Sequence, residues 1–196
     1  MKKLIIALVL VFAVLFSASA QGFYFDIGLG AGKGWSKVDG KSLSDMFAGT
    51  DISEIGVNLG LKAGYGPIAG LPIYMAAAVS GVGHRFSKGD DYLQLNSYLI
   101  GPSLILYPIP LLQLAGTVGF SYTGNLASGS ILLPQSKGGF GYEVSLAFDF
   151  GRRNHGCLVG VNYYDSFNKL ESEEKQKTSE LGIFVKYAYR HKLSRY

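Results

Sequence analysis

Apolar residues alternate with small or polar residues throughout residues 139–151. The apolar positions are Phe140, Tyr142, Val144, Leu146, Phe148 and Phe150. The positions between them are Gly139, Gly141, Glu143, Ser145, Ala147 and Asp149. Because successive side chains of a β-strand point to opposite faces, the segment is predicted to be a strand with one apolar face.

The same alternation recurs along the chain, with turn signals between the segments. It predicts seven further strands: 22–35, 55–65, 73–86, 92–107, 112–123, 157–167 and 180–190. Segment 73–86 loses its phase near Gly81 and Gly83, which predicts a β-bulge there. Segment 92–107 is apolar on both faces and is interrupted by Pro102, so its register stays open.

The connections between these strands alternate in length. Those at 66–72, 108–111 and 151–156 are compact and rich in Pro or Gly, whereas those at 38–54, 124–138 and 168–179 are longer and more polar. Only the link 87–91 is short where a long one is expected. An even number of strands with alternating short and long connections is typical of an outer-membrane barrel. Closure also removes unpaired edge groups, which cost several kcal/mol each in lipid.

A soluble β-sandwich or lipocalin-like barrel is the rival interpretation. Such a protein would hide the apolar face inside and expose polar residues across its outer face. Here the second face is dominated by Gly, Ala, Ser and Thr, which suits a narrow lumen. The favoured fold is therefore all-β: an eight-stranded antiparallel up-and-down transmembrane β-barrel. Aromatic residues near strand ends are predicted to form the interfacial girdles: Phe23, Trp35, Tyr65, Tyr107, Tyr122, Tyr163 and Tyr189.

The N-terminus predicts export. Lys2 and Lys3 precede an apolar run of 13 residues, 4–16, and an Ala-Ser-Ala sequence ends at Ala20. This is the pattern of a secretory signal peptide, and the run is shorter than the roughly 20 residues of a membrane-spanning helix. We expect residues 1–20 to be a cleaved signal peptide and 21–196 to be one barrel domain in the outer membrane of a diderm bacterium.

Charge and cysteine content narrow the function classes. Beyond residue 20 there are 16 basic and 14 acidic residues, a net charge of +2, which argues against a nucleic-acid binder. The single cysteine, Cys157, excludes an internal disulfide. All 27 glycines and 23 of the 25 Phe and Tyr residues lie in this part of the chain, as suits a membrane barrel.

In its signal peptide, eight alternating strands and loop asymmetry, the chain resembles the small eight-stranded outer-membrane barrels of the OmpA, OmpX and OmpW type. The resemblance implies a monomer that contacts outer-membrane lipids and lipopolysaccharide or an equivalent, and is recognised by the barrel assembly machinery. Barrels of this type tend to end on an aromatic residue in the apolar register of the last strand. Tyr196 is terminal, but the register of Tyr187 and Tyr189 is broken at His191, and Lys192 and Ser194 follow.

Six charged residues fall on the inward registers: Asp26, Lys62, Glu143, Asp149, Lys186 and Arg190. Glu143, Lys62 and Lys186 lie well inside their strands, so we predict a mid-lumen ion-pair network of Glu143 with at least one of these lysines. The network either satisfies buried charge or forms an ion constriction. The first is favoured, because eight strands enclose an interior just wide enough for side chains.

No pattern points to catalysis or to a bound group. Glu143 and Asp149 lie roughly 20 Å apart along one strand, too far to act as a carboxylate pair. His84 and His191 each precede a serine by three residues, which places each pair on opposite faces. The glycine-rich segment 28–34 lacks the spacing of a phosphate loop. We therefore expect no cofactor, no metal site and no enzymatic activity.

The sequence thus favours an envelope structural or surface-interaction role through the loops 38–54, 124–138 and 168–179, with a host or surface ligand as candidate partner. The resemblance to OmpW-type barrels suggests an alternative, a narrow channel for small or hydrophobic molecules, and inward Leu158 and Phe184 would suit it. A second alternative is a lipid-modifying barrel enzyme. Arg152 and Arg153 are expected to meet anionic head groups at the periplasmic interface.

Overall fold

The computed structural model describes residues 22–46, 53–88, 91–127 and 135–191. The predicted signal peptide with its cleavage point at Ala20 lies outside the described residues, as does the terminal Tyr196. No helix formed by the described residues is long and apolar enough to cross a membrane.

Eight long strands form one antiparallel sheet in which each strand pairs with the next along the chain. They are β1 (Phe23–Val38), β3 (Ser53–Tyr65), β4 (Ile73–Lys88), β5 (Asp91–Ile109), β6 (Leu112–Ala127), β7 (Ser136–Asp149), β8 (His155–Leu170) and β9 (Lys175–Arg190). Pairing of β1 with β9, from Tyr24 with Arg190 to Val38 with Gln176, closes the sheet. The prediction of an eight-stranded antiparallel up-and-down barrel is confirmed.

Two short elements follow β1 within the predicted loop 38–54. Strand β2 (Lys41–Ser42) folds back onto the last residues of β1, and helix α1 (Leu43–Met46) comes directly after it. Asp39 and Gly40 make the reversal with positive φ angles of 47° and 81°. Glycine adopts such an angle without strain, whereas Asp39 is held by two 2.9 Å hydrogen bonds to the backbone of Lys175, one through its amide and one through its Oδ1 atom.

The two ends of the barrel differ. At one end, here called the turn end, the chain reverses through residues 66–72, 110–111 and 150–154. The other end, the loop end, holds the connections from β1 to β3, from β4 to β5, from β6 to β7 and, through the turn 171–174, from β8 to β9. The prediction of a loop over 168–179 is wrong, because β8 continues to Leu170 and β9 begins at Lys175. The strand residues within 168–179 keep the two-residue alternation between inward and outward side chains. Their outward positions are polar instead of apolar.

The two faces of the sheet follow the predicted registers. Along β7, Val144, Leu146 and Phe148 are exposed on the outside, and Glu143 and Asp149 are buried inside. The apolar residues therefore face outward, as the transmembrane interpretation requires. One aromatic residue departs from the predicted girdle: Tyr107 points into the lumen, because it stands on the inward register of β5.

The predicted bulge near Gly81 and Gly83 is wrong. Strand β4 keeps an unbroken register there, with Val82 opposite Asn58 of β3 and Ser97 of β5. The apolar pattern changes phase because the lumen itself changes: Val82 and Phe86 point inward, whereas the two glycines point outward. This apolar interior also explains the ambiguous segment 92–107, whose inward residues are mainly apolar: Leu93, Leu95, Leu99, Ile105 and Tyr107.

Candidate functional site in the barrel lumen

A charged layer crosses the middle of the lumen. Glu143 of β7 places its Oε1 atom 3.7 Å from Lys62 Nζ of β3 and 3.8 Å from Lys186 Nζ of β9. The three side chains are at most 5% exposed. Lys186 Nζ also lies 4.3 Å from the centre of the Phe184 ring, a cation–π contact. The Glu143 carboxylate thus lies close to two lysine amines, which come from other strands of the barrel.

Glycines make room for these long side chains. A Cβ atom on Gly28 would collide with Lys186 Cγ, and one on Gly60 would lie 3.3 Å from Lys186 Nζ. Both glycines stand on inward registers beside the charged layer. The glycine-rich part of β1 is therefore explained by crowding in the lumen.

An aromatic and polar layer fills the turn end. Tyr24 donates a hydrogen bond of 2.7 Å to Asp26 Oδ2, and Gln113 Nε2 donates to the hydroxyls of Tyr24 (2.9 Å) and Tyr107 (2.7 Å). The ring of Tyr74 packs against both Tyr24 and Tyr107. Together these side chains occupy the lumen below the charged layer.

The remaining inward charges also lie near the turn end. Arg190 Nη2 lies 3.0 Å from Asp149 Oδ2. Asp26 accepts a hydrogen bond from the Tyr24 hydroxyl. Among the described residues, no basic side chain lies within 4.0 Å of its carboxylate. The structure therefore brings the six sequence-derived residues into two ion-paired groups, Glu143 with Lys62 and Lys186, and Asp149 with Arg190, while Asp26 joins the tyrosines.

A second polar cluster, toward the loop end, contains residues that the sequence analysis missed. His84 Nε2 lies 2.8 Å from Glu180 Oε2, and Asn58 Nδ2 donates to Glu180 Oε1 at 2.7 Å. Gly34 lies so close to the His84 ring that a Cβ atom would collide with it. The sequence does place His84 on the same strand face as Val82, and Glu180 on the same face as Gly182. The bulge that was wrongly predicted in β4 prevented the assignment of His84 to the lumen.

Hydroxyl and amide groups form a hydrogen-bonded belt beside this cluster. Ser97 Oγ lies 2.8 Å from Tyr164 Oη, 3.0 Å from Ser166 Oγ and 3.0 Å from Thr123 Oγ1. Asn168 joins the belt by donating to Thr123 Oγ1 at 2.7 Å. These partners satisfy buried polar groups, which would otherwise be costly in the lumen.

An apolar layer closes the loop end of the lumen. It is formed by Val38, Leu43, Phe86, Leu93, Leu95 and Leu170, which are all buried. Leu43 joins this layer from α1, so the first residue of the short helix helps to fill the mouth of the barrel. Side chains therefore occupy the lumen at four successive levels: aromatic and polar, charged, hydrogen-bonded, and apolar.

In the part of the chain that the structure describes, neither a group able to hold a metal ion nor a hydrogen bond between a histidine ring and a serine or threonine hydroxyl is found. No group of three or more His, Cys, Asp or Glu residues is placed to hold a metal ion. His84 contacts Glu180, and His155 Nδ1 lies 2.7 Å from the Tyr187 hydroxyl. Neither described contact includes a serine or threonine hydroxyl.

The sequence matches no family model and no curated protein. Among solved structures, Ail, the attachment invasion locus protein of Yersinia pestis, in complex with the heparin analogue sucrose octasulfate, is similar at 17% identity and a TM-score of 0.52. The match covers 84% of this chain and 98% of Ail. Neisserial surface protein A (NspA) is similar at 17% identity and a TM-score of 0.52, covering 86% and 97%.

The chain has the fold of the small eight-stranded outer-membrane β-barrels. The resemblance to these barrels that was inferred from the sequence is thereby confirmed. At this level of identity the similarity shows the fold alone. A function for this barrel must therefore be argued from its own residues.

Proposed function

We propose that the protein is a monomeric outer-membrane β-barrel with a closed lumen, which serves the envelope as a structural or surface-interaction protein and has no catalytic activity. Residues 1–20 would be removed on export and 21–196 would insert as one domain. The turn end would face the periplasm and the loop end the outside. The outward apolar registers support insertion, and this orientation places the longest connection, between Val38 of β1 and Ser53 of β3, on the outside.

The observation that carries the proposal is the filling of the lumen at four levels. Glu143 lies between Lys62 and Lys186 in the middle of the barrel. An ion crossing this level would have to separate buried opposite charges, and one crossing the apolar layer at Leu43 and Phe86 would lose its hydration. A passive ion pathway is therefore not expected.

Conductance in planar bilayers tests the closed lumen. The refolded protein should first show the heat-dependent gel mobility of a folded barrel, so that insertion is established independently. We expect a baseline conductance indistinguishable from that of the protein-free bilayer. Reproducible ion-conducting steps from protein of verified mobility would overturn the closed-lumen proposal.

Surface interaction is proposed for the loop end. Ail, which shares this fold, is described in complex with a heparin analogue, so a polyanionic sugar is one candidate class of ligand. Lys41 and Lys175 supply exposed positive charge near the strand ends. Retention of the barrel on a heparin matrix at physiological salt tests this ligand class. Elution at the same salt concentration as a control barrel without net charge would exclude it.

The apolar layer favours one second candidate function, a channel for small hydrophobic molecules. Leu93, Leu95 and Phe86 would offer such a molecule an apolar site at the mouth once Leu43 moved aside. Liposome uptake of an apolar dye, compared between the wild type and Leu43→Gly, separates the two candidates. A channel gated by α1 would admit the dye faster in the variant, whereas a structural barrel would show no protein-dependent uptake in either.

A lipid-modifying activity has less support. The His84–Glu180 pair is buried in the lumen and away from lipid. Incubation of the folded barrel with lipid A or phospholipid in detergent should give no turnover. Turnover that is lost in His84→Gln would overturn the non-catalytic proposal.

A further inference from the structure

Four lysines project outward from adjoining strands at the loop end. They are Lys37 of β1, Lys175 and Lys177 of β9, and Lys169 of β8. We call them the rim lysines. Lys37 stands directly opposite Lys177 across the β1–β9 pair, and Lys169 stands directly opposite Lys175 across the β8–β9 pair. Two pairs of like charges are thus placed side by side on one surface.

Like charges directly opposite each other on neighbouring strands destabilise a sheet. Within the described residues only one rim lysine has an ion-pair partner: Lys177 Nζ lies 3.0 Å from Asp165 Oδ2. Lys37, Lys169 and Lys175 have no ion-pair partner in the same part of the chain. The surface therefore carries an excess of positive charge that a bound anion would relieve.

Asp165 fixes the position of Lys177. Its side chain is only 2% exposed although it stands on the outward register of β8. Ser179 donates a 2.6 Å hydrogen bond to Asp165 Oδ1, and Tyr142 donates one of 3.2 Å to Oδ2. Lys177 Nζ also lies 5.0 Å from the centre of the Phe167 ring. Two side chains, Asp165 and Phe167, contact the amine directly, while Ser179 and Tyr142 fix the Asp165 carboxylate.

The rim lysines lie at the level where the apolar outer surface ends. Leu181 and Ile183 of β9, nearer the barrel middle, are 54% and 68% exposed, as lipid-facing residues would be. Trp35 stands opposite Ser179, one step below Lys37 and Lys177, and is also on the outside. Tryptophan and tyrosine prefer the membrane–water interface. Lysine side chains just above such residues reach the level of lipid head groups.

Two carboxylates lie within this surface: Asp165 pairs with Lys177, and Asp39 Oδ1 accepts a 2.9 Å hydrogen bond from the backbone amide of Lys175. The other acidic residues nearby lie beyond it. Glu171, Glu173 and Glu174 belong to the turn beyond the strand ends. The Lys137 amine donates a hydrogen bond to Glu173, and this bond together with the lysine's charge lowers the pKa of that carboxyl. These carboxylates lie farther from the membrane than the rim lysines and would not compete for the head-group level.

Among the described side chains, the exposed loop-end lysines that have no ion-pair partner lie on one side of the barrel. On β4, which lies across the barrel from β8, the exposed cation at the loop end is Arg85, whose guanidinium is 4.5 Å from the centre of the Tyr92 ring. Outward positions on β5 at this height are the uncharged Gln94 and Asn96. A binding partner would therefore meet one face, formed by β8, β9 and β1.

We propose that the rim lysines bind the phosphate groups of a phosphorylated lipid in the outer leaflet. The proposal rests on the membrane insertion and orientation proposed above, and it assigns the lipid contact to particular residues. The lysine amines would lie around the phosphates while the acyl chains pack on Leu181 and Ile183. Because the contact is electrostatic and partly exposed, it should weaken as salt increases.

Nanodiscs of phosphatidylcholine containing a small fraction of lipid A test the proposal. Native mass spectrometry counts the lipid A molecules that remain bound to the barrel, and chemically dephosphorylated lipid A supplies the matched lipid control. Each lysine near an anionic surface contributes an attraction equivalent to about a fivefold change in binding. We expect the variant K37Q/K175Q, which removes two such lysines, to bind lipid A roughly 25-fold more weakly than the wild type. It leaves the Lys177–Asp165 pair intact.

Arg85→Gln is the control variant, since it removes one positive charge from the same end on the other side. Lys37→Gln alone should weaken lipid A retention, whereas Arg85→Gln should not. Equal retention of the dephosphorylated lipid, or equal losses in Lys37→Gln and Arg85→Gln, would overturn the proposal. So would binding of soluble sucrose octasulfate by the same lysines without retention of lipid A, which would assign the surface to a soluble polyanion. A chain that fails to enter nanodiscs would instead refute the membrane function itself.

Discussion

Two levels of the same lumen are closed by different chemistry. In the middle, Glu143 lies between Lys62 and Lys186. At the loop end, Phe86, Leu93 and four other apolar residues fill the mouth. The charged level is built from β3, β7 and β9, whereas the apolar level is built from β1, β4, β5, β8 and α1. All of these strand residues stand on inward registers of one barrel, so an inward position does not by itself select one chemistry over the other.

The difference concerns how each level depends on residue identity. A buried charge is stable only while its partner is present, so the middle level depends on particular side chains. An apolar layer depends mainly on filling its volume, and side chains of similar size replace one another with a small loss. The charged level should therefore be sensitive to isosteric changes that the apolar level tolerates.

The largest effect is expected from Glu143→Gln. The substitution keeps the shape of the side chain but leaves Lys62 and Lys186 facing each other without an anion. Breaking a buried ion pair by removing one partner costs about 3–5 kcal/mol. Urea titration of the barrel in phospholipid vesicles, followed by gel mobility without boiling, should show unfolding at a much lower urea concentration than in the wild type.

The triple variant K62M/E143M/K186M is the matched test. It removes all three charges and leaves apolar side chains, and replacement of a whole buried ion-pair group in this way is often neutral or stabilising. We expect it to recover most of the stability lost in Glu143→Gln. If the triple variant is no more stable than Glu143→Gln, packing and not charge pairing governs the middle level.

A smaller effect is expected from Gly34→Ala, which tests the close packing beside the His84–Glu180 pair. The added methyl group would displace the His84 ring from its contact with Glu180. Overpacking of this kind costs typically about 1–3 kcal/mol. The measurement is the free energy of unfolding in the same vesicles.

Gly116→Ala is the control for this prediction. Gly116 lies in β6, and a Cβ atom there would meet nothing within 4 Å. Alanine is favoured over glycine in a strand interior, so the change should be neutral or slightly stabilising. Equal losses in the two variants would mean that backbone conformation, and not crowding by His84, requires glycine at residue 34.

The alternating pattern predicted the strands because lipid outside and a narrow lumen inside impose opposite demands on successive residues. Residues such as Leu146 and Glu143 differ sharply, so their faces follow from the sequence alone. Strand β5 could not be assigned in this way. Its inward Leu95 and Leu99 are as apolar as its outward Ile100 and Leu104, and the contrast between faces disappears.

Contacts across the lumen were harder to predict than the registers. The sequence places Glu143, Lys62 and Lys186 inside, but their approach depends on the stagger of β3, β7 and β9 around the barrel. The pairing of His84 with Glu180 joins residues 96 positions apart in the chain. Such pairs depend on strand tilt and closure, which single-strand patterns do not contain.

The smallest effect is expected from Leu95→Met in the apolar layer, compared with Lys62→Met in the charged level. The first change conserves volume and adds no unpaired group, so it should cost less than about 1.5 kcal/mol. The second removes one cation beside Glu143 and leaves Lys186 as its remaining partner at 3.8 Å. We expect the loss in Lys62→Met to exceed the loss in Leu95→Met, measured as unfolding free energies in one vesicle preparation. Because both variants introduce the same residue into one lumen, a difference between them reports the chemistry of the level that receives it. Equal losses would show that both levels respond to volume alone.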